Sequence, residues 1–207
     1  MRFIGTAAAG LCVGLLAAMA LLWSEGRFTP PAPGDISFGT PRLGAPFALK
    51  TADGATVTEA ALQGQLTLLT FTFERCGAPC DVSLQLIAQV LAVAPAKAGV
   101  PPDGLRAIAV GIDPARQSGR ALEAYVRPFA SADRLVAVTG SEPDVRGLAR
   151  AYGLPLTRDD ADAGDPLRGF LPPIYLVGRN GQYVTHFAFG TPLETIIAAI
   201  AEPQGGS

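Results

Sequence analysis

The sequence predicts an α/β domain, a central mixed β-sheet with helices on both faces, and three observations predict it. Apolar runs of strand length alternate with stretches of helical spacing, in the order hairpin, β, α, β, α, β, α, hairpin, α. An Asn180-Gly181 pair between two apolar runs is a strong signal for a closing hairpin. Residues 66–86, LTLLTFTFERCGAPCDVSLQL, begin as a strand buried on both faces and break at Cys76-Gly77-Ala78-Pro79-Cys80. They then resume with helical spacing through Leu84, Ile87 and Leu91.

That last stretch is what the other elements are arranged around. A strand that ends in two cysteines at the mouth of a helix is a thioredoxin-like arrangement. The helix N-terminus offers unpaired N–H groups and a partial positive charge, which favour a thiolate over a thiol. Cys76 sits just before the first turn, where Arg75 adds to the effect, and Cys80 lies one turn deeper on the same face. Such a pair can close a disulfide or bind one soft metal ion; a purely structural disulfide is the plain alternative.

Taken in order, the chain opens with an uncharged apolar run over residues 3–23. A cleaved signal peptide has a shorter apolar core, about 7–15 residues, whereas roughly 20 cross a bilayer. Ala18-Met19-Ala20 offers a cleavage site, but Leu21-Leu22-Trp23 continues the run past it. Residues 1–23 are therefore expected to be an uncleaved transmembrane anchor, with Trp23 at the interface and Arg2 on the cytoplasmic side. Cys12 is then a small apolar residue within the membrane. Residues 24–43 carry Pro30, Pro31, Pro33 and Pro41 and read as an extended tether. Residues 44–203 form the folded domain, which would face the periplasm.

Within that domain, residues 47–49 and 56–57 flank the turn Asp53-Gly54 as a short hairpin. LRAIAVGI, residues 105–112, is a buried strand that ends at Asp113-Pro114. Leu122, Tyr125, Val126 and Phe129 mark a helix, and LVAV, residues 135–138, a third strand. Ser141 with Asp144 makes a capping-box-like start to a helix that stops at Gly153. Residues 158–168 hold four aspartates and read as a solvated loop. Residues 174–177 and 182–187 form the closing hairpin. The final helix is expected to start at Thr191, with Pro192 at its first position and Glu194 completing a capping box.

The chain has 207 residues, one ordinary domain plus an extension, and a net charge of -2. That charge gives no basic stripe, so nucleic acid binding has no electrostatic support and no nucleic acid partner is expected. Of its three cysteines only one close pair lies outside the apolar N-terminal run, which suits a redox or metal site better than a disulfide scaffold.

Five segments in the right order resemble the Sco/SenC family, thioredoxin-fold proteins that help assemble the copper centre of cytochrome oxidase. Gly44-Ala45-Pro46-Phe47-Ala48-Leu49 with Asp53-Gly54 resembles the family's opening hairpin, and Cys76-Gly77-Ala78-Pro79-Cys80 its C-x-x-x-C spacing. Gly111-Ile112-Asp113-Pro114-Ala115-Arg116 resembles its V-D-P-x-R segment, Thr139-Gly140-Ser141 to Tyr152-Gly153 its following helix, and Tyr175-Leu176-Val177 with Asn180-Gly181 its last hairpin. The resemblance covers residues 43–201. It implies a thioredoxin-like fold, a redox-active Cys76–Cys80 disulfide and copper chemistry at the same two sulfurs. It also implies a client protein with a cysteine pair, such as an oxidase copper-centre subunit.

One departure outweighs the matches. The family's third copper ligand is a histidine, which counting back from Tyr175-Leu176 places at Phe170; Arg168-Gly169-Phe170-Leu171-Pro172-Pro173 contains none. The chain's one histidine, His186, falls beyond the Asn-Gly turn and reads as an edge residue rather than a substitute ligand. The replacing stretch resembles the segment of thioredoxin-like oxidoreductases in which a cis-proline packs against the cysteines. Pro172 is accordingly expected to be cis and to belong to the catalytic set with Cys76 and Cys80.

Two functions follow. The first is a membrane-tethered thiol–disulfide oxidoreductase working through Cys76 and Cys80, in copper-centre or cytochrome assembly, with no cofactor required. The second is a Cu(I) metallochaperone, since two thiolates suit Cu(I) and the missing imidazole disfavours Cu(II). A redox-silent assembly scaffold is a further alternative. A peroxidase fits poorly: the threonine wanted three residues before the reactive cysteine is Phe73, with Thr72 one place off.

Overall fold

Seven strands and four helices make up the described part of the chain, which comprises residues 47–73, 76–130, 134–154 and 171–203 of a computed structural model. The expected anchor and tether, Arg75, the aspartate-rich loop and Phe170 lie outside the described residues. The strands are β1 (Ala48–Lys50), β2 (Thr56–Thr58), β3 (Leu66–Thr72), β4 (Leu105–Gly111), β5 (Leu135–Val138), β6 (Ile174–Val177) and β7 (Tyr183–Phe187). The helices are α1 (Ala78–Lys97), α2 (Gly119–Val126), α3 (Glu142–Ala151) and α4 (Leu193–Ala201).

β1 and β2 pair as the expected hairpin. The main sheet has the order β5-β4-β3-β6-β7, with β3 parallel to β4, β4 parallel to β5, and the β3–β6 and β6–β7 pairs antiparallel. It is mixed because parallel neighbours are joined through α1 and α2, while β6 returns through a tight turn to β7. β3, which leads into the cysteines, is therefore the middle strand, paired with β4 along its whole length and with β6 over Thr67–Thr70.

Side chains alternate across the sheet, and the alternation divides the core. Leu66, Leu68, Ala107, Ala109, Ile174 and Leu176 pack with Leu84, Ile87, Val90 and Leu91 of α1, Leu122 of α2 and Ile196 of α4. Leu69, Phe71, Ile108, Val110, Tyr175 and Val177 face the other way, onto Val145 and Leu148 of α3 and Leu49 of the hairpin. Each fully buried leucine contributes about 1.5–3 kcal/mol of transfer free energy, which is why β3 can be apolar throughout. α1 is long and apolar enough to cross a membrane by length and composition alone, but its Leu84–Leu91 stripe is buried against the sheet, as in a core helix.

Ser118 and Ser141 cap α2 and α3 through their hydroxyls, which accept from Ala121 N at 3.3 Å and Asp144 N at 3.4 Å. α3 stops where expected: Gly153 takes φ 73°, and Leu154 N closes onto Ala149 O at 2.9 Å. The start of the last helix differs from expectation. Pro192 is the cap itself, with φ -61° and ψ 143°, and Leu193 opens the helix. Thr191 turns its hydroxyl back onto Ala188 O at 2.8 Å instead of forward onto the helix. Glu194 forms no capping box because its carboxylate pairs with Lys97 Nζ at 3.0 Å, joining α4 to the end of α1.

Candidate functional site

β3 delivers the cysteines at its C-terminal end. Phe73 O accepts from Cys76 N at 3.1 Å, which turns the chain out of the strand. Gly77 then caps α1 with φ 58° and ψ -139°, a conformation that only glycine adopts without strain. Pro79 stands in the first helical turn, where a missing N–H leaves no hydrogen bond unmade. Gly77 O accepts from Cys80 N at 3.1 Å and from Asp81 N at 3.2 Å, closing that turn.

The two sulfurs are joined in a disulfide, with the Cα atoms 5.6 Å apart. Both residues are buried, Cys76 at 8% exposure less completely than Cys80 at 1%. Cys80 Sγ faces inward, 3.9 Å from the Phe71 carbonyl oxygen. Behind the pair, Phe71, Tyr152 and Tyr175 meet edge to face, with centroids 4.9 to 5.9 Å apart, and Tyr175 Oη donates to Tyr152 O at 2.8 Å. Burial pushes the Tyr152 phenol up to about 12 and Tyr175 upward as well, so both rings stay neutral.

Pro172 is buried, but its peptide bond is trans; the expected cis bond is absent. The trans chain already offers both proline carbonyls to donors. Ser83 Oγ, one turn beyond Cys80, donates to Pro172 O at 3.3 Å, and Thr70 Oγ1 of β3 donates to Pro173 O at 3.1 Å. Neither serine nor threonine was signalled by the sequence motifs. The i, i+3 spacing from Cys80 to Ser83 was the available clue, since it puts both on one helix face.

Two more residues of the site had no motif to point to them. Tyr125 of α2 donates its phenol to Asp81 Oδ1 at 2.6 Å, next to Cys80. Burial first, then the hydrogen bond to Asp81 and its charge, push Tyr125 well above its ordinary range. At the end of β4, Asp113 pairs with Arg116 at 3.0 Å and its carbonyl accepts from Arg116 N and Gln117 N, which shapes the D-P-x-R segment into a turn beside the end of β3.

His186 lies on the edge strand β7, opposite Tyr175 in register. Its Nδ1 is 2.5 Å from Tyr183 Oη. Two strand spacings, roughly 10 Å, separate β7 from β3. Among the described residues no group of three His, Cys, Asp or Glu is placed to hold a metal ion. On reduction the two sulfurs would offer a soft donor pair that fits Cu(I); the third position of the expected set, Phe170, lies outside the described residues.

A mixed sheet with a cysteine pair between its central strand and the first core helix defines a thioredoxin-like α/β domain. The chain belongs to the SCO1/SenC family, whose model matches residues 37–203. It is 31% identical over 166 residues to the human mitochondrial protein SCO1 homolog, an alignment that covers 79% of this chain and 53% of that protein. The chain thus spans about half the length of that relative. The crystal structure of yeast Sco1 with copper bound superposes with a TM-score of 0.62 at 26% identity, covering 78% of this chain and 92% of that one. The structure of Bradyrhizobium japonicum ScoI with copper bound gives a TM-score of 0.58 at 27% identity, covering 76% of this chain and 97% of that one.

Proposed function

We propose that this chain is a membrane-tethered thiol–disulfide oxidoreductase that serves copper-centre assembly of cytochrome oxidase, or cytochrome assembly. The observation that carries the reading is the Cys76–Cys80 disulfide at the mouth of α1, with Cys76 the less deeply buried residue of the two. In the reduced protein, the Cys76 thiolate attacks a client disulfide. The client S–S bond breaks, its electron pair leaves on one client sulfur, and a mixed disulfide forms. The Cys80 thiolate then attacks Cys76 Sγ and releases the second client sulfur as a thiolate. The client is reduced, the pair is oxidised, and protons return to the client sulfurs from solvent. α1 contributes its N-terminal partial charge to the attacking thiolate, and the apolar wall of Phe71 and Tyr175 keeps water from Cys80.

The family membership and the copper-bound relatives favour a second reading, a Cu(I) metallochaperone holding its cargo between Cys76 and Cys80. Copper is then substrate rather than a resident cofactor, and the oxidoreductase needs none. The client is a protein with a cysteine pair, for which an oxidase copper-centre subunit is the leading candidate. Residues 1–23 anchor the chain and residues 24–43 tether residues 44–203 on the periplasmic side.

Mixing the reduced full chain with a peptide closed by one internal disulfide tests the reading. One equivalent of peptide should be reduced as one Cys76–Cys80 disulfide forms, and Cys76→Ser should abolish the reaction. An inert wild-type chain would leave the metallochaperone and the redox-silent scaffold.

A further inference from the structure

A line of rings runs from the cysteine pair to the surface. Cys80 Sγ is 3.9 Å from the carbonyl oxygen of Phe71, whose ring lies 5.9 Å, centroid to centroid, from that of Tyr175. Tyr175 is 5.9 Å from His186 on the same measure, and His186 is 6.1 Å from Tyr183. Phe71 and Tyr175 are fully buried, while His186 and Tyr183 are half-buried on the edge strand β7. Paired backbone runs beside the rings: Leu69 of β3 stands opposite Tyr175 of β6, and Tyr175 opposite His186 of β7.

The tyrosines around the site differ in what can take the phenol proton. Removing an electron from a neutral phenol makes its O–H strongly acidic, so oxidation is easiest where a base accepts that proton. Tyr175 donates to the carbonyl oxygen of Tyr152, which does not keep a proton. Tyr125 donates to the carboxylate of Asp81. Tyr183 Oη instead lies 2.5 Å from Nδ1 of His186, and an imidazole is a stronger base than a carboxylate. A neutral imidazole that carries its proton on Nε2 accepts this bond at Nδ1.

We infer that Tyr183 is a port through which one-electron oxidants take electrons from the reduced cysteine pair, with His186 as its proton acceptor. The oxidant, a metal complex or a diffusing radical, removes one electron from Tyr183 while the phenol proton passes to His186 Nδ1. An electron from the cysteine pair then crosses by way of Phe71 and Tyr175, the proton returns from His186, and the tyrosine is restored. The sulfur radical left behind bonds to the other cysteine's thiolate and shares its odd electron with it. A second oxidation of Tyr183 removes that electron and leaves the Cys76–Cys80 disulfide. Two oxidants are reduced, one dithiol becomes one disulfide, and two protons go to solvent. This activity goes beyond disulfide exchange, in which a partner's sulfur has to touch the attacking one.

The experiment uses the full chain carrying Trp23→Phe, because the chain's one tryptophan would compete for the oxidant. The oxidant is trivalent ruthenium tris-bipyridine, generated by a light flash, and radicals are read by electron paramagnetic resonance. In the disulfide form no dithiol refills Tyr183, so a tyrosyl radical should persist there, and it should be lost in Tyr183→Phe and in His186→Phe. In the dithiol form the radical should decay as the disulfide forms, and Tyr183→Phe should lose that disulfide formation. Oxidation of the same dithiol by cystamine, sulfur to sulfur, should be unchanged in Tyr183→Phe. A radical that survives in Tyr183→Phe, or that lasts equally long in the disulfide and dithiol forms, overturns the inference. So does a disulfide yield from the ruthenium oxidant that Tyr183→Phe leaves unchanged, or an equal loss toward cystamine.

Discussion

Tyr125 and Asp81 join two helices at the edge of the cysteine site: the phenol of α2 donates to the carboxylate in the first turn of α1 at 2.6 Å. The bond ties the residue after Cys80 to the helix that follows β4, and Tyr125 is raised above its ordinary 10.0 in the fold. Tyr152 moves from 10.0 to about 12. A phenol raised in the folded state gives stability that is complete below its unfolded pKa and is lost as pH rises toward the folded one. Denaturant midpoints should therefore be flat up to about pH 10 and fall as pH rises from there toward 12. Tyr125→Phe should flatten that fall; an unchanged slope in the variant would remove Tyr125 from the account.

Gly77 offers a second test, free of packing. A Cβ there would meet nothing within 4 Å, yet φ is 58°. Gly77→Ala should cost about 1–3 kcal/mol from backbone strain alone, read as a drop in the denaturant midpoint. A neutral substitution would mean that the turn before α1 relaxes freely.

The cysteines should differ in the reduced chain. Cys76 is the more exposed sulfur and precedes the helix N-terminus, so it should alkylate faster than Cys80 at neutral pH. Cys80→Ser should hold the client as a mixed disulfide. Equal alkylation rates would favour the scaffold.

Copper separates the two main readings. Reduced chain should bind Cu(I) through Cys76 and Cys80 and form no stable thiolate-coloured Cu(II) complex, since Cu(II) should oxidise the pair instead. Phe170→His should bring Cu(II) binding back. A coloured Cu(II) complex of the unmodified chain that disappears in His186→Ala would put the metallochaperone first.

The anchor is tested by fractionation. The mature chain should retain Trp23 and sediment with membranes; an N-terminus near Leu21 on the purified protein would show cleavage instead.

Much of this architecture is legible in the residues because burial writes itself into spacing. β3 had to be buried on both faces, since Leu66, Leu68, Leu69 and Phe71 leave no polar stripe, and it is the middle strand. Ser141 and Gly153 mark their helix ends because caps are local chemistry. The last helix misled because Glu194 finds Lys97, a partner 97 residues away that no local rule sees. Pro172 misled as well: the donors to that loop, Ser83 and Thr70, lie 89 and 103 residues distant in sequence. The cysteine pair could be read from its strand–helix context, whereas Ser83, Thr70 and Tyr125 join the site only once tertiary contacts bring them there.

The Cys76–Cys80 link spans a sequence separation of 4. Closing so small a ring removes little freedom from an unfolded chain, about 2 kcal/mol on the loop-entropy scale against roughly 4.7 for a ring of a hundred residues. Domains of this size hold about 5–15 kcal/mol in all. The bond is therefore a smaller staple than a long-range one, and opening it should leave the five-stranded sheet standing. The amides of β3, laddered on both sides, should be among the slowest to exchange with deuterium in either oxidation state. On the oxidoreductase reading, the sulfurs should then turn over many times on a support that does not have to refold.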